Sequence, residues 1–159
     1  MTPATAIAPV TSIVRVKATP ERAFRFFTEN LGQWWPSNFS IGSSPMREAI
    51  LEAGTGGRWY EVGQDGSTCQ WGEVLAWNPP DRLVLAWRIT AEWQFDPNLL
   101  TEVHVSFRDL GNGETEVTLE HRGLENYGGA AAQMVGLFSS PGGWHAALAR
   151  FAEDVAAAL

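Results

Sequence analysis

Apolar and polar residues alternate along three segments of the chain, residues 12–17, 101–109 and 115–122. A two-residue period of this kind is typical of β-strands that bury one face. A fourth strand is predicted over residues 46–52, where the phase of the alternation is ambiguous. The residues predicted to face inward on the alternating strands are Val14, Val16, Val103, Val105, Phe107, Val117, Leu119 and His121.

Residues 56–89 (GGRWYEVGQDGSTCQWGEVLAWNPPDRLVLAWRI) are predicted to form three further antiparallel strands joined by two tight turns. Asp65-Gly66 is the signal of a two-residue hairpin turn, and closing the hairpin there places Tyr60 opposite Trp71. The second turn lies at residues 78–81, with the sequence NPPD. Each turn fixes a register, and the register decides which residues share a face of the sheet.

Both turns predict the same inner face for this part of the sheet. It is mainly apolar and consists of Trp59, Glu61, Gly72, Val74, Ala76, Leu83, Leu85, Trp87 and Ile89. The missing side chain of Gly72 would leave room for the two tryptophans beside it. Tyr60, Trp71 and Trp77 fall on the outer face. A shift of one residue in the register would exchange the two faces.

A pair of helices is predicted near the start of the chain. Thr19 suits a helix cap, Pro20 suits the first helical position, and Glu21 complements the helix dipole. This helix is predicted to end near Glu29, and a short second helix is stopped by Pro36.

The last part of the chain predicts a long amphipathic helix. Residues 126–138 have a helical pattern that three glycines weaken. Ser140 is predicted to cap the final helix, with Pro141 at its first position. Its apolar stripe follows helical spacing and consists of Trp144, Leu148, Phe151, Val155 and Leu159.

The order of strand, helix pair, six strands and long terminal helix resembles the helix-grip fold of the START and birch-pollen-allergen superfamily, also called SRPBCC. Four motifs resemble its branch of homologues of the heat-shock chaperone ATPase activator, over residues 12–158. They are GGRWYE (56–61), WGEVLAWNPPDRLVLAW (71–87), LEHRG (119–123) and SPGGW (140–144). The resemblance implies an α+β fold in which a curved antiparallel sheet of about seven strands wraps around the terminal helix.

The resemblance also implies an internal cavity between the sheet and that helix. In the superfamily this cavity often takes a lipid, sterol, hormone or polyketide, and some members are cyclases or hydrolases. The chaperone activators themselves carry an additional N-terminal domain that docks on the chaperone. We expect no counterpart of that domain here, so the resemblance to this branch is expected to be a poor guide to function.

Composition limits the classes of partner. We expect one domain over residues 1–159, with residues 1–10 frayed. The net charge is −7 and Lys17 is the only lysine, so binding to nucleic acids or to anionic membrane surfaces is not expected. No apolar run is long enough to span a membrane and no signal peptide is seen, which predicts a cytoplasmic protein. We expect no cofactor, and the single cysteine and three scattered histidines predict no metal site.

Two inward residues are candidates for chemistry. Glu61 facing an apolar cavity could serve as a general acid or base. It could equally be a structural carboxylate held by hydrogen bonds from arginine, indole or backbone groups, which is the commoner case. His121 could bind a polar group of a ligand or act as a base with Glu61, or it could be a core histidine hydrogen-bonded to a neighbour. Cys69 is predicted to be an apolar filler and not a nucleophile, since no basic partner lies beside it.

Aromatic side chains are predicted to line the cavity, as suits a planar or hydrophobic ligand. Trp93 and Phe95 lie on the connection 91–100, where they could gate it. Plain core packing would account for the inward rings equally well. The predicted lining consists of Trp59, Glu61, Val74, Leu85, Trp87, Trp93, Phe95, Val105, Phe107, Leu119, His121, Trp144 and Leu148.

Three functions follow as hypotheses. The first is a binding module for a small hydrophobic or aromatic molecule. The second is a cofactor-free cyclase, hydrolase or isomerase that uses Glu61 or His121. The third is a chaperone-associated protein that acts through the outer surface of its sheet. On that surface Tyr60, Trp71 and Trp77 could also form a homodimer contact, unless they simply cover the sheet.

Overall fold

Seven antiparallel strands form one sheet in the order β1-β7-β6-β5-β4-β3-β2 in the computed structural model of the protein. The structure describes residues 7–35 and 39–158. Leu159, at the end of the predicted helical stripe, and residues 1–6 of the predicted frayed segment lie outside the described residues. The strands are β1 (Val10–Val16), β2 (Met46–Leu51), β3 (Arg58–Gly63), β4 (Thr68–Asn78), β5 (Arg82–Trp87), β6 (Thr101–Gly111) and β7 (Glu114–Arg122).

Four α-helices and one 3-10 helix complete the described fold. They are α1 (Pro20–Glu29), α2 (Leu31–Trp34), the 3-10 helix Leu124–Ala130, α3 (Ala131–Ser139) and α4 (Trp144–Ala157). The predicted start of α1 is confirmed, because the Thr19 hydroxyl accepts a hydrogen bond from the Arg22 backbone N–H at 3.3 Å. No helix within residues 7–35 and 39–158 is long and apolar enough to cross a membrane.

The predicted start of the last helix is wrong by a few residues. Ser140 ends α3 and its hydroxyl donates to the Leu137 carbonyl at 2.7 Å, and α4 begins only after Gly143. The corner between the two helices is tight, since a Cβ at Gly143 would lie 2.3 Å from the Phe138 carbonyl oxygen. A side chain at this position would clash with the end of α3, so the corner before α4 requires glycine here.

Two β-bulges in β4 change which side chains face inward. Trp59 pairs with Gly72 but Tyr60 pairs with Gln70, so Trp71 is an extra residue between them. The predicted pairing of Tyr60 with Trp71 is therefore wrong. A bulge shifts the phase of the strand beyond it. As a result Trp71 faces inward and is 1% exposed, although the regular register predicts it outward.

The second bulge acts in the same way at the other end of β4. Val74 pairs with Leu85 as predicted, but the register then shifts, and Trp77 pairs with Leu83 instead of Arg82. Ala76, predicted inward, is half-buried, and Trp77 packs against Phe24 of α1 with ring centroids 5.0 Å apart. Both bulges thus turn a tryptophan of β4 from the outer face toward the helices.

The core lies between the concave face of the sheet and α4. The stripe predicted for the last helix is confirmed over its described part, with Trp144, Leu148, Phe151 and Val155 each at most 1% exposed. The structure is the helix-grip arrangement expected from the order of elements, and its class is α+β.

Candidate functional site

A cluster of aromatic rings fills the space between the sheet and α4. Trp87 of β5 lies at its centre, and the ring centroids of neighbouring members are 4.9 to 6.4 Å apart, mostly in edge-to-face or tilted geometry. This is the preferred geometry of aromatic pairs. We define the aromatic cluster as Trp35, Phe39, Trp59, Trp71, Trp87, Trp93, Phe138 and Trp144.

The members of the aromatic cluster come from two kinds of backbone. Strands and helices carry Trp59, Trp71, Trp87, Phe138 and Trp144. Trp35, Phe39 and Trp93 lie outside the strands and α-helices. Trp93 is half-buried, so it forms part of the solvent-facing edge of the cluster. Side chains on turns can move at lower cost than those on a paired strand.

Trp93 occupies a strained turn. Its φ angle is +58°, a conformation that costs energy for a residue other than glycine. The turn is closed by a hydrogen bond from the Trp93 N–H to the Thr90 carbonyl at 3.0 Å. The Trp93 indole packs on the rings of Phe39 and Trp87, whose centroids each lie 6.3 Å from its own. This packing offsets the strain.

Phe95 does not take the predicted position in the lining. Its backbone bridges to that of Ile89, but its side chain is 36% exposed. The turn places Trp93 against the cluster and leaves Phe95 on the solvent side.

Tyr127 connects the aromatic cluster to the surface. Its hydroxyl accepts a hydrogen bond from Trp87 Nε1 at 3.0 Å and donates one to the Ile89 carbonyl at 2.6 Å. Burial raises the pKa of the Tyr127 phenol, so it stays protonated at neutral pH. The same side chain borders an open surface cleft of about 210 Å³, which is lined by Thr90, Ala91, Glu92, Asp96, Leu99, Asn126, Tyr127 and Ala130.

Sequence reasoning missed Tyr127. It lies in a 3-10 helix beside two glycines, where neither a helical nor a strand period marks an inward position. Its neighbour Gly128 has non-helical backbone angles, which breaks any regular pattern. The only signal in the sequence is a tyrosine in a segment whose other residues are mainly small or polar.

His121 lies inward as predicted and is fully buried. Its Nδ1 accepts a hydrogen bond from Trp144 Nε1 at 3.1 Å, and its Nε2 lies 2.8 Å from Thr101 Oγ1. The Thr101 hydroxyl itself donates to the Trp87 carbonyl, which leaves it to accept from a protonated Nε2. Burial lowers the pKa of His121 to about 3, so the ring is neutral at physiological pH. The hydrogen bonds fit a core histidine.

Glu61 also lies inward as predicted, and its carboxylate is fully engaged. Oε1 accepts from the Ile41 N–H at 2.6 Å and from Trp71 Nε1 at 3.1 Å, and Oε2 accepts from the Ser40 hydroxyl at 2.6 Å. These bonds fasten the loop after Phe39 to β3 and orient the Trp71 indole. Glu61 and His121 have separate sets of partners, so the predicted acid-base pair is not formed.

The remaining predicted lining residues divide between two regions. Val74, Leu85, Val105, Leu119 and Leu148 are all buried in the core. Phe107 lies at the α1 end, where its ring is 5.3 Å from Phe24 and 5.8 Å from Phe27. The structure therefore brings the aromatic residues together around Trp87, but it does not bring Phe107 or Phe95 to them.

The outer face differs from the predicted surface. Trp71 and Trp77 face the helices for the reasons given above, and of the three predicted residues Tyr60 alone is on the outer side, where the Arg58 guanidinium lies 4.8 Å from its ring centroid. A homodimer through this face stays a prediction, but two of the three residues predicted to form its contact, Trp71 and Trp77, do not lie on the outer face.

Other reactive side chains lie apart from the cluster. Burial, reinforced by the charges of Glu61 and Asp65, raises the pKa of the Cys69 thiol, which does not suit a nucleophile. His104 is 2.8 Å from Glu102, and His145 is exposed. Within the described ranges no three His, Cys, Asp or Glu side chains are arranged to hold a metal ion.

Comparisons with known proteins place the chain in a family. The model of the family described as activator of Hsp90 ATPase homolog 1-like protein (AHSA1) matches residues 17–156. No curated protein sequence is similar enough to count as a relative. Among solved structures, the anthrahydroquino-gamma-pyrone synthase Txn09 is 35% identical, with 93% of this chain and 97% of that chain covered and a TM-score of 0.66.

Two further structures show the range of the fold. The self-sacrificing resistance protein CalC from Micromonospora echinospora is 30% identical over 93% of this chain and 94% of that chain, with a TM-score of 0.70. An HSP90 activator from Plasmodium falciparum is 21% identical over 73% of each chain, with a TM-score of 0.50, which is a likeness of fold alone. The family match over most of the chain and the helix-grip topology agree, and the protein belongs to the AHSA1-like family.

Proposed function

We propose that the protein binds a planar polycyclic aromatic molecule within the aromatic cluster. The observation that carries this proposal is the position of Trp93, a half-buried ring on a strained turn that packs on the central Trp87. Strained backbone is retained most often where a site uses it. Flat aromatic walls favour flat ligands, because stacking and edge-to-face contacts add to the burial of apolar area.

The cleft beside Tyr127 supplies the route to the cluster in this proposal. Tyr127 separates the cleft from Trp87, and the turn that carries Trp93 forms another wall of the same cleft through Thr90 and Ala91. A ligand would enter between the Trp93 indole and Trp87, so that the Trp93 ring would form one of its aromatic walls.

The similarity to Txn09 supports the choice of ligand. That protein is named as the synthase of a compound with anthrahydroquinone and pyrone parts, and it is 35% identical to this chain over nearly all of both chains. CalC, at 30% identity, is named as a resistance protein. Relatives at this level of identity therefore differ in their named functions, and binding is the property to test first in this chain.

Binding can be tested with small planar probes. Fluorene and 9-fluorenone should raise the melting temperature of the protein, whereas bicyclohexyl, which has nearly as many carbons but is not flat, should not. Trp93→Gly should weaken binding of both planar probes by roughly tenfold, since it removes one aromatic wall. Glycine suits the positive φ at this position, so the turn should keep its backbone.

Asn112→Gly is the matched control. Asn112 has a φ of +56° in the turn between β6 and β7, so the change is again from a side chain to glycine at a left-handed position. It should leave probe affinity unchanged. If neither planar probe binds the wild-type protein, or if Asn112→Gly weakens binding as much as Trp93→Gly, the proposal is wrong.

Catalysis on the same ligand is a second candidate, favoured by the identity with a synthase. Glu61 and His121 are the acid-base groups beside the cluster, and both are held by hydrogen bonds in the structure described here. Native mass spectrometry of freshly purified protein should reveal a co-purifying small molecule, and its incubation with fresh protein should show whether it is converted. A catalytic Glu61 requires that Glu61→Gln abolish turnover while binding is kept, and retained turnover would remove it as the catalyst.

A further inference from the structure

Trp35 carries a buried hydrogen-bond donor without an acceptor. Its side chain is 6% exposed, and within the part of the chain that the structure describes its Nε1 has no hydrogen-bond partner. Apart from Trp34, the rings around Trp35 all belong to the aromatic cluster. An aromatic face offers such a donor only a weak interaction.

Three other indole N–H groups of the cluster already have acceptors. The indole N–H groups of Trp71, Trp87 and Trp144 donate to Glu61, Tyr127 and His121 respectively. Each of these acceptors is also bound by a second group, as described above. A buried donor left unpaired is unfavourable and uncommon in folded proteins. Its retention at Trp35 is explained if a bound molecule supplies the acceptor.

We infer that Trp35 Nε1 donates a hydrogen bond to an oxygen atom of the ligand, which makes the ligand class planar aromatic carbonyl compounds such as quinones, pyrones and aryl ketones. The inference rests on the proposed binding function and specifies its chemistry. An indole N–H can only donate, so the matching group on the ligand must be an acceptor. A hydrocarbon of the same shape would fill the site but leave this donor unpaired.

Trp34 provides the matched control because its indole N–H is also buried and also lacks a partner among the described residues. Its ring, however, packs on Phe27 and Phe151, between α1 and α4. Trp34→Phe and Trp35→Phe therefore make the same chemical change at adjacent positions, and only Trp35 is surrounded by the aromatic cluster.

The test compares 9-fluorenone with fluorene, which differ by one carbonyl oxygen. Trp35→Phe should weaken binding of fluorenone about tenfold more than it weakens binding of fluorene, because the loss of one hydrogen bond affects only the ketone. For each protein we take the ratio of the dissociation constants of the two probes. Comparing this ratio between the variant and the wild-type protein cancels the difference in hydration between the probes. Trp34→Phe should change the affinity for both probes by the same factor.

A second measurement does not depend on how well the variants fold. In a ¹H–¹⁵N spectrum of the wild-type protein, the Trp35 indole N–H, identified by its absence in Trp35→Phe or by sequential assignment, should move downfield on addition of fluorenone. Fluorene should not move it in that direction, and the Trp34 signal should stay in place with both probes.

The outcomes separate the inference from the function on which it rests. If both probes bind with the same Trp35→Phe effect and the same indole shift, the inference is overturned while the binding function stands. If neither probe binds, the binding function fails and the inference fails with it. A selective loss of fluorenone binding together with the downfield shift supports both.

Discussion

At the scale of single residues, the hydrogen bonds of His121 fix one neutral tautomer. Trp144 donates to Nδ1, and the Thr101 hydroxyl, which is occupied as a donor to Trp87, accepts from Nε2. A protonated ring would place a second donor against the Trp144 N–H in a site with no exposed surface. Acid should therefore destabilise the fold at this position.

This gives a prediction about pH. The pKa of His121 is about 3 in the folded protein against 6.5 for an ordinary histidine, so between these values the unfolded chain binds a proton that the folded protein does not. The contribution of His121 to the free energy of unfolding is fully present above pH 6.5 and is lost progressively as the pH falls toward 3. Linkage predicts a loss of roughly 1 kcal/mol between pH 7.5 and pH 5.5, measurable by urea unfolding.

His121→Gln should remove most of this dependence. A glutamine amide can accept from Trp144 with its oxygen and donate to Thr101 with its nitrogen, but it does not titrate. The exposed His145→Gln is the control and should keep the wild-type slope. Equal slopes for the wild-type protein and His121→Gln would show that another group causes the loss of stability in acid.

At the scale of secondary-structure elements, Gly72 allows the close approach of β4 and β5. A Cβ at this position would lie 1.7 Å from the Ala86 carbonyl oxygen and 2.7 Å from its carbonyl carbon. The sequence suggested a glycine that makes room for two indoles, but the group that needs the space is the neighbouring backbone. Backbone atoms of a paired strand cannot move aside as a flexible side chain can.

Gly72→Ala should therefore destabilise the protein by about 3 kcal/mol or more, through separation of the two strands. Gly136→Ala is the comparison, because Gly136 is an exposed glycine in α3 with open space around the missing Cβ. Alanine is the better helix former, so that change should stabilise by about 0.5–1 kcal/mol. Denaturant unfolding of both variants measures whether each change lowers or raises the free energy of unfolding. An unchanged free energy of unfolding for Gly72→Ala would contradict the observed strand geometry.

The elements themselves were largely predictable from the sequence, while the bulges were not. Alternation and turn signals located the strands, and helix signals located α1 and the stripe of α4. A bulge, however, depends on how two distant backbones pair, and no residue type in β4 marks Trp71 or Leu75 as the extra residue. For this reason the sequence pattern predicts the inward positions of Glu61 and Trp87 correctly but places Trp71 and Trp77 on the wrong face.

At the scale of the whole molecule, the aromatic cluster joins elements that are distant in sequence. Trp35 follows α2, Trp87 belongs to the central strand β5, and Trp144 begins α4. The sequence predicted inward aromatic residues on several of these elements, but their meeting around one ring depends on the curvature of the sheet and on the first bulge. The candidate site is therefore a property of the tertiary structure, and the sequence could supply only some of its members.

Trp87→Phe should show whether the cluster acts as one unit. The substitution leaves a void among rings from strands, loops and helices and removes the donor to Tyr127, so it should lower the free energy of unfolding by about 3 kcal/mol and flatten the near-UV circular dichroism. Trp77→Phe changes a half-buried tryptophan that packs on Phe24, away from the cluster, and should cost about 1 kcal/mol with most of the near-UV signal kept. If both variants lost similar amounts of unfolding free energy and of near-UV signal, the rings around Trp87 would pack independently of one another. In that case a ligand entering beside Trp93 could be accommodated without rearranging the rest of the core.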